Sequence, residues 1–118
     1  MHVLVEKYAS TAVLTIATPR FNQAVAPDIL DEAAATISPD VTVYLINLGH
    51  VVHIDSAAIG VLVNLMKRIG RDRTLDLCAP APTVRKVLRM TRMDTVFKIH
   101  ATVAAGLEVH FTSRMNAG

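Results

Sequence analysis

The sequence predicts an α/β domain, a mixed sheet of about five strands flanked by about four helices. Three observations carry this. Two runs rich in β-branched residues open the chain. Strand-like runs then alternate with segments of helical period, the order expected when helices connect neighbouring strands. One run, Val41 to Leu48, is apolar almost throughout, as a strand covered on both faces should be.

His2 to Lys7 reads as the first strand and Ala12 to Thr18 as the second. Tyr8-Ala9-Ser10-Thr11 is the turn between them, so the pair forms a hairpin and makes the sheet mixed. Pro19 ends the second strand because it has no N–H to give a ladder. Arg20 to Val25 is a loop. Pro27 suits the first turn of a helix, and Asp28, Asp31 and Glu32 favour its positive end. Leu30, Ala33, Ala34 and Ile37 supply that helix's inner face, and Ser38-Pro39-Asp40 stops it. After the strand over Val41 to Leu48, Gly49 breaks the run.

A second helix spans Ser56 to Ile69, with Ile59, Leu62, Val63, Met66 and Ile69 on its apolar stripe and Val61 and Leu65 widening it. Lys67, Arg68 and Arg71 suit its negative end, and Gly70 suits the position just past it. Thr74 to Ala79 is a strand, and Pro80-Ala81-Pro82 leads into a helix with Val84, Val87, Leu88 and Thr91 on one face. Arg85, Lys86 and Arg89 lie on the other face, as on an ordinary solvated helix. Val96 to Ile99 is a short strand and Thr102 to Val109 a final helix, giving the order ββαβαβαβα. Residues 113–118 carry no core signal and read as a flexible tail to a single domain over 1–112.

Composition narrows the function. A chain of 118 residues is long enough for a real core. With 52% hydrophobic residues but only 4% aromatics, that core should consist of Val, Leu, Ile, Ala and Met. The net charge of +2 is too small to argue for nucleic acid. The single cysteine, Cys78, excludes an internal disulfide and reads as an inert strand residue. Charge interrupts the opening residues at once, so no signal peptide is expected. No apolar run approaches the ~18 residues needed to span a bilayer, and a cytoplasmic protein without membrane insertion is the expectation.

The chemistry gathers at His53-Ile54-Asp55-Ser56-Ala57-Ala58-Ile59-Gly60, where a strand region meets a helix start. Unpaired N–H groups and the helix dipole favour oxygen and negative charge there. Asp55 or Ser56 can cap the helix; Ser56 can equally serve as a phosphorylatable hydroxyl, and the two roles are compatible. Ala57, Ala58 and Gly60 are small enough for helix packing or for the close approach of a partner. His50 and His53 have ligand-like spacing, with Asp55 as a third donor, but no cysteine or acidic cluster completes a site, so no metal and no cofactor is expected. A nucleophilic enzyme lacks support: Ser56 has no flanking glycines of a nucleophile elbow, and the five glycines form no phosphate-binding loop.

Four segments, in order, resemble those of STAS domains, the anti-sigma factor antagonist family. Val51 to Val61 resembles its apolar-Asp-Ser-Ser/Thr-Gly-Leu-Gly-Val signature. Ala26-Pro27-Asp28-Ile29-Leu30 is similar to the start of its first helix. Pro80 to Thr91 resembles its Pro-x-Val-x-x-x-Leu segment, and Met93 to Ile99 the Leu-x-x-x-Phe-x-Ile piece that follows. The resemblance spans roughly residues 3 to 110 and implies a single STAS-like domain of mixed sheet and flanking helices.

It also implies a bacterial, non-enzymatic regulator of transcription that works by partner switching. The unphosphorylated protein binds an anti-sigma factor, or a related serine protein kinase, and phosphorylation of the serine after the motif aspartate ends the complex. A metal-dependent serine phosphatase resets it. Ser56 is the matching serine, and the implied partner surface comprises Arg20, Phe21, Asn22 and Gln23 with Asp55, Ser56, Ala57, Ala58, Ile59 and Gly60. The expected assembly state is a monomer or weak dimer. Ala57 stands for the usual second hydroxyl, Ala58 for the usual Gly, Asn22 for a frequent Asp, and Arg92 for the Gly after Thr91. The second reading is a constitutive STAS subunit of a lipid-transport or stress-signalling assembly without phosphorylation.

Overall fold

A computed structural model describes the backbone of residues 1–117 and the side chains of residues 1–111. The elements are β1 (Val3–Tyr8), β2 (Thr11–Ile16), β3 (Arg20–Phe21), α1 (Ala26–Ala34), β4 (Val43–Asn47), β5 (His53–Ile54), α2 (Ser56–Ile69), β6 (Thr74–Cys78), α3 (Pro82–Met90), a 3-10 turn (Met93–Thr95), β7 (Ile99–His100) and α4 (Val103–Ala117). Five strands form one sheet in the order β1-β2-β4-β6-β7. β1 is antiparallel to β2 and every other pair is parallel, so the expected mixed α/β sheet with four flanking helices is what forms.

Strand register sorts the core into two layers. Tyr44 lies beside Ala12 and Leu75, and Ile46 beside Leu14 and Leu77; this face packs with buried residues of α1, α2 and α3. Leu45 lies beside Val13 and Asp76 on the other face, where Val13, Val43, Leu45 and Cys78 meet Val103 and Leu107 of α4. β2 is buried at all six positions and β4 at four of five, as residues covered on both faces must be. Gly106 is why α4 lies so close: a Cβ there would stand 3.1 Å from Cys78 Sγ and 3.2 Å from Leu45 Cδ1.

Several expectations need correcting. Among the described residues no methionine is buried, while Tyr44, Phe21 and Phe97 are, so the scarce aromatics do fill the core. Tyr44 is tolerated because its hydroxyl accepts from Ser38 N (3.0 Å) and from Arg73 Nη1 (3.4 Å). The inner face of α1 is Ala26, Ile29 and Ala33, with Leu30, Ala34 and Ile37 at its margin. The buried stripe of α2 is Ala58, Val61, Leu62, Leu65 and Ile69; Ile59, Val63 and Met66 flank it. On α3, Thr91 is exposed and returns its hydroxyl to Val87 O at 2.8 Å.

The strand expected over Val96 to Ile99 is also displaced. Arg92 adopts φ 60°, the chain turns through Met93–Thr95, and Phe97 N donates to Met93 O at 2.8 Å while its ring enters the core. Pairing with β6 begins only at Ile99. The backbone of α4 runs past the expected end at Val109 to Ala117. The tail expected over 113–118 overlaps it, and the side chains from residue 112 onward and all of Gly118 lie outside the described residues. No helix among the described residues is long and apolar enough to cross a membrane.

Candidate functional site: the α2 N-terminus and the β3–α1 loop

Arg20 to Val25, expected as loop, holds the two-residue strand β3, which pairs in parallel with β5: Arg20 with His53 and Phe21 with Ile54. Pro19 O extends this contact, accepting from Val52 N (2.8 Å) and His53 N (3.2 Å). No period in so short a segment could announce the pairing, because its partner lies more than 30 residues away. Its effect is to set the loop after β3 beside the start of α2.

Asp55 fastens the two. It is the N-cap of α2 in an extended conformation, with Oδ1 accepting from Ala58 N at 3.1 Å. Its Oδ2 accepts from Gln23 N at 3.0 Å. One carboxylate thus satisfies a helix terminus and a neighbouring loop. Asn22 shapes that loop: its Oδ1 accepts from Ala24 N (3.0 Å), and its carbonyl accepts from Val25 N (3.1 Å) and Ala26 N (2.9 Å). An asparagine at this place does the local work of an Asx turn leading into α1.

The capping question therefore resolves to Asp55. Ser56 is the first residue of α2, exposed, and its hydroxyl has no hydrogen-bond partner among the described residues. Arg20, Gln23 and Gly60 are exposed beside it, and Asn22, Asp55, Ala57 and Ile59 are half-buried. Phe21 and Ala58 are fully buried, so they support this surface from beneath and present no side chain on it. Because Ala58 points inward, its methyl does not obstruct an approach to Ser56. A groove of about 350 Å³ runs between α1 and α2 here, lined by Gln23, Pro27, Leu30, Ala57, Gly60 and Asn64. At Gly60 a Cβ would meet nothing within 4 Å. The fold itself therefore does not require glycine at this helix position.

His50 and His53 are both exposed and do not converge with Asp55 on a donor cluster. The convergence of metal donors among the described residues lies under α4 instead, at Asp76, His100 and His110. Sequence reading missed it. The available signal was an aspartate inside the apolar run Leu75-Asp76-Leu77-Cys78, a buried acid in need of a partner. On the same face, burial and then the Asp76 carboxylate push the Cys78 thiol up to about 12, which fits the inert cysteine expected.

A five-stranded mixed sheet with a capped helix start and an exposed serine after its aspartate cap defines a class of small α/β domain. The STAS domain family model matches residues 2–106, and the chain belongs to that family. A Thermotoga neapolitana protein named as an anti-sigma factor antagonist homologue is 35% identical over 65 residues, 54% of this chain and 58% of its own length. The chain thus matches little more than half of that curated relative. The solved STAS domain protein of Planctomyces limnophilus superposes with a TM-score of 0.83 at 25% identity, covering 91% of this chain and 95% of that one. The anti-sigma factor antagonist SpoIIAA of Bacillus has the same fold at 19% identity, with a TM-score of 0.77 over 93% of this chain and 96% of its own in the unphosphorylated form. SpoIIAA has been solved in a phosphorylated form as well, with a TM-score of 0.64 at 20% identity over 90% of this chain and 96% of its own.

Proposed function

We propose that this chain is a partner-switching regulator of the anti-sigma factor antagonist kind. Unphosphorylated, it binds an anti-sigma factor or related serine kinase; phosphorylation of Ser56 ends that complex, and a metal-dependent serine phosphatase restores it. The observation that carries this reading is the division of labour at the α2 start. Asp55 does the capping, which leaves the Ser56 hydroxyl exposed and unengaged. The partner surface is the rim formed by Arg20, Asn22, Gln23, Asp55, Ser56, Ala57, Ile59 and Gly60, resting on Phe21 and Ala58.

A phosphate on Ser56 adds about −1.5 to −2 charges at a helix N-terminus, which tolerates negative charge, so the fold survives. The same group in the middle of a closed interface costs several kcal/mol when desolvated without a partner, and about 1.4 kcal/mol is already tenfold in affinity. In this reading the chain acts by binding a partner and not by catalysis. Intact mass measurement of protein recovered from its native cells tests the modification. A species heavier by about 80 Da, one phosphate, is expected and should vanish in Ser56→Ala. Its absence under every growth condition, with the unmodified protein abundant, would favour a constitutive STAS subunit.

A further inference from the structure

We propose that Asp76, His100 and His110 form a binding site for a divalent transition-metal ion, zinc by its donor chemistry, that ties α4 to the sheet. The site lies under α4, on the sheet face opposite α2, and stands independently of the role of Ser56. Three elements supply it. Asp76 stands on β6, beside Leu45 of β4. His100 of β7 pairs with Cys78, two residues along β6, and so shares the Asp76 face. α4 crosses that face and delivers His110. Gly106 permits the crossing, since a Cβ there would stand 3.1 Å from His100 Cδ2.

Both imidazoles present Nε2 to the same carboxylate oxygen. His100 Nε2 and His110 Nε2 each lie 2.8 Å from Asp76 Oδ2. The three donor atoms all fall within 4.8 Å of one another. A tetrahedral zinc ion with ligands near 2.0–2.1 Å spaces its donors about 3.3 Å apart, so small side-chain adjustments admit one. The electrostatics favour a cation. Asp76 and His100 side chains are only 6% and 5% exposed, and the ion-pair partners of this buried carboxylate are the two imidazoles, with no Lys or Arg among the described residues. A buried anion of this kind requires compensating positive charge.

The donor set names the ion class. Two imidazoles and one carboxylate suit zinc and other late first-row divalent ions; calcium and magnesium prefer all-oxygen shells, and copper(I) prefers sulfur. The His110 side chain is 18% exposed, which leaves an entry path and a fourth position for water or a small anion.

The full chain, stripped with chelator, is titrated with zinc by calorimetry and with cobalt(II) by visible absorption. One ion per chain is expected, with cobalt bands of a four- or five-coordinate site and a rise in Tm with added zinc. His110→Ala should weaken binding by at least the roughly 10–100-fold that follows from disturbing a metal's outer contacts. His50→Ala, at an exposed loop histidine, should leave it unchanged. X-ray absorption of the zinc-loaded wild-type protein should count two imidazoles and a carboxylate, and this reads the site even where a variant fails to fold. No stoichiometric uptake, equal affinity in His110→Ala, or a different donor set overturns the proposal. The triad would then be two imidazoles hydrogen-bonded to one carboxylate.

Discussion

Asp55 is the residue on which the proposed surface depends, because its two oxygens serve two elements. Losing it leaves Ala58 N and Gln23 N without their acceptor. Asp55→Ala is therefore expected to lower stability by about 1–2 kcal/mol in urea denaturation, at the upper end of cap removals. It should also speed amide exchange at Gln23. That Asp55 and Ser56 stand at the start of α2 was legible in the sequence, because capping is local. Which of the two caps was not legible, since both side chains can reach the same N–H groups. Asp76, His100 and His110 were illegible as a set. They sit on three elements at separations of 24 and 10 residues, and only tertiary packing brings them together.

At the scale of elements, α2 was read with its observed ends, Ser56 to Ile69, because an N-cap and Gly70 mark them. Its inner face was read in part: Val61, Leu62, Leu65 and Ile69 are buried, but Ile59, Val63 and Met66 only flank them and Ala58 was not among the expected stripe. A helix apolar on most sides offers several stripes, and burial against α1 and β6 selects among them. β3, β5 and the 3-10 turn are too short to carry a period, so the sequence assigns Arg20 to Val25 to loop and no element to Met93–Thr95. Gly60 belongs to this scale. A mid-helix glycine costs roughly 0.5–1 kcal/mol relative to alanine, and no neighbour within 4 Å demands it. Gly60→Ala is expected to raise stability by that amount in thermal or urea unfolding. In the same variant, partner affinity should fall, because the added methyl stands on the proposed docking rim. A stabilised variant with unchanged affinity would remove Gly60 from that rim.

Across the whole molecule, the sheet order brings the chain's opening against α1 through Glu32. Its carboxylate accepts from His2 N (2.8 Å) and Val3 N (3.0 Å). These backbone bonds, the one to His2 first, hold the Glu32 carboxyl below its ordinary range. A carboxyl depressed in the folded state contributes stability above its ordinary pKa, and that contribution is lost as pH falls through the depressed value. Glu32→Gln should therefore flatten the acid limb of the stability profile in urea titrations below about pH 5 while changing little of its shape near neutrality. The overall architecture was legible because strand composition, helical period and the hairpin all point to one mixed sheet. Cover on both faces of β4 was legible in its apolar run; which residues of β4 and β6 meet α4 was not, since only register decides it.

Under the proposed function, charge at Ser56 gates a partner. The most direct measurement compares Ser56→Ala and Ser56→Glu as baits in lysate of the native cells, both first shown to be folded by circular dichroism. Ser56→Ala is expected to retain a serine-kinase-type protein at least about tenfold more strongly than Ser56→Glu, a difference of roughly 1.4 kcal/mol. Equal retention of that protein by the two baits would contradict it.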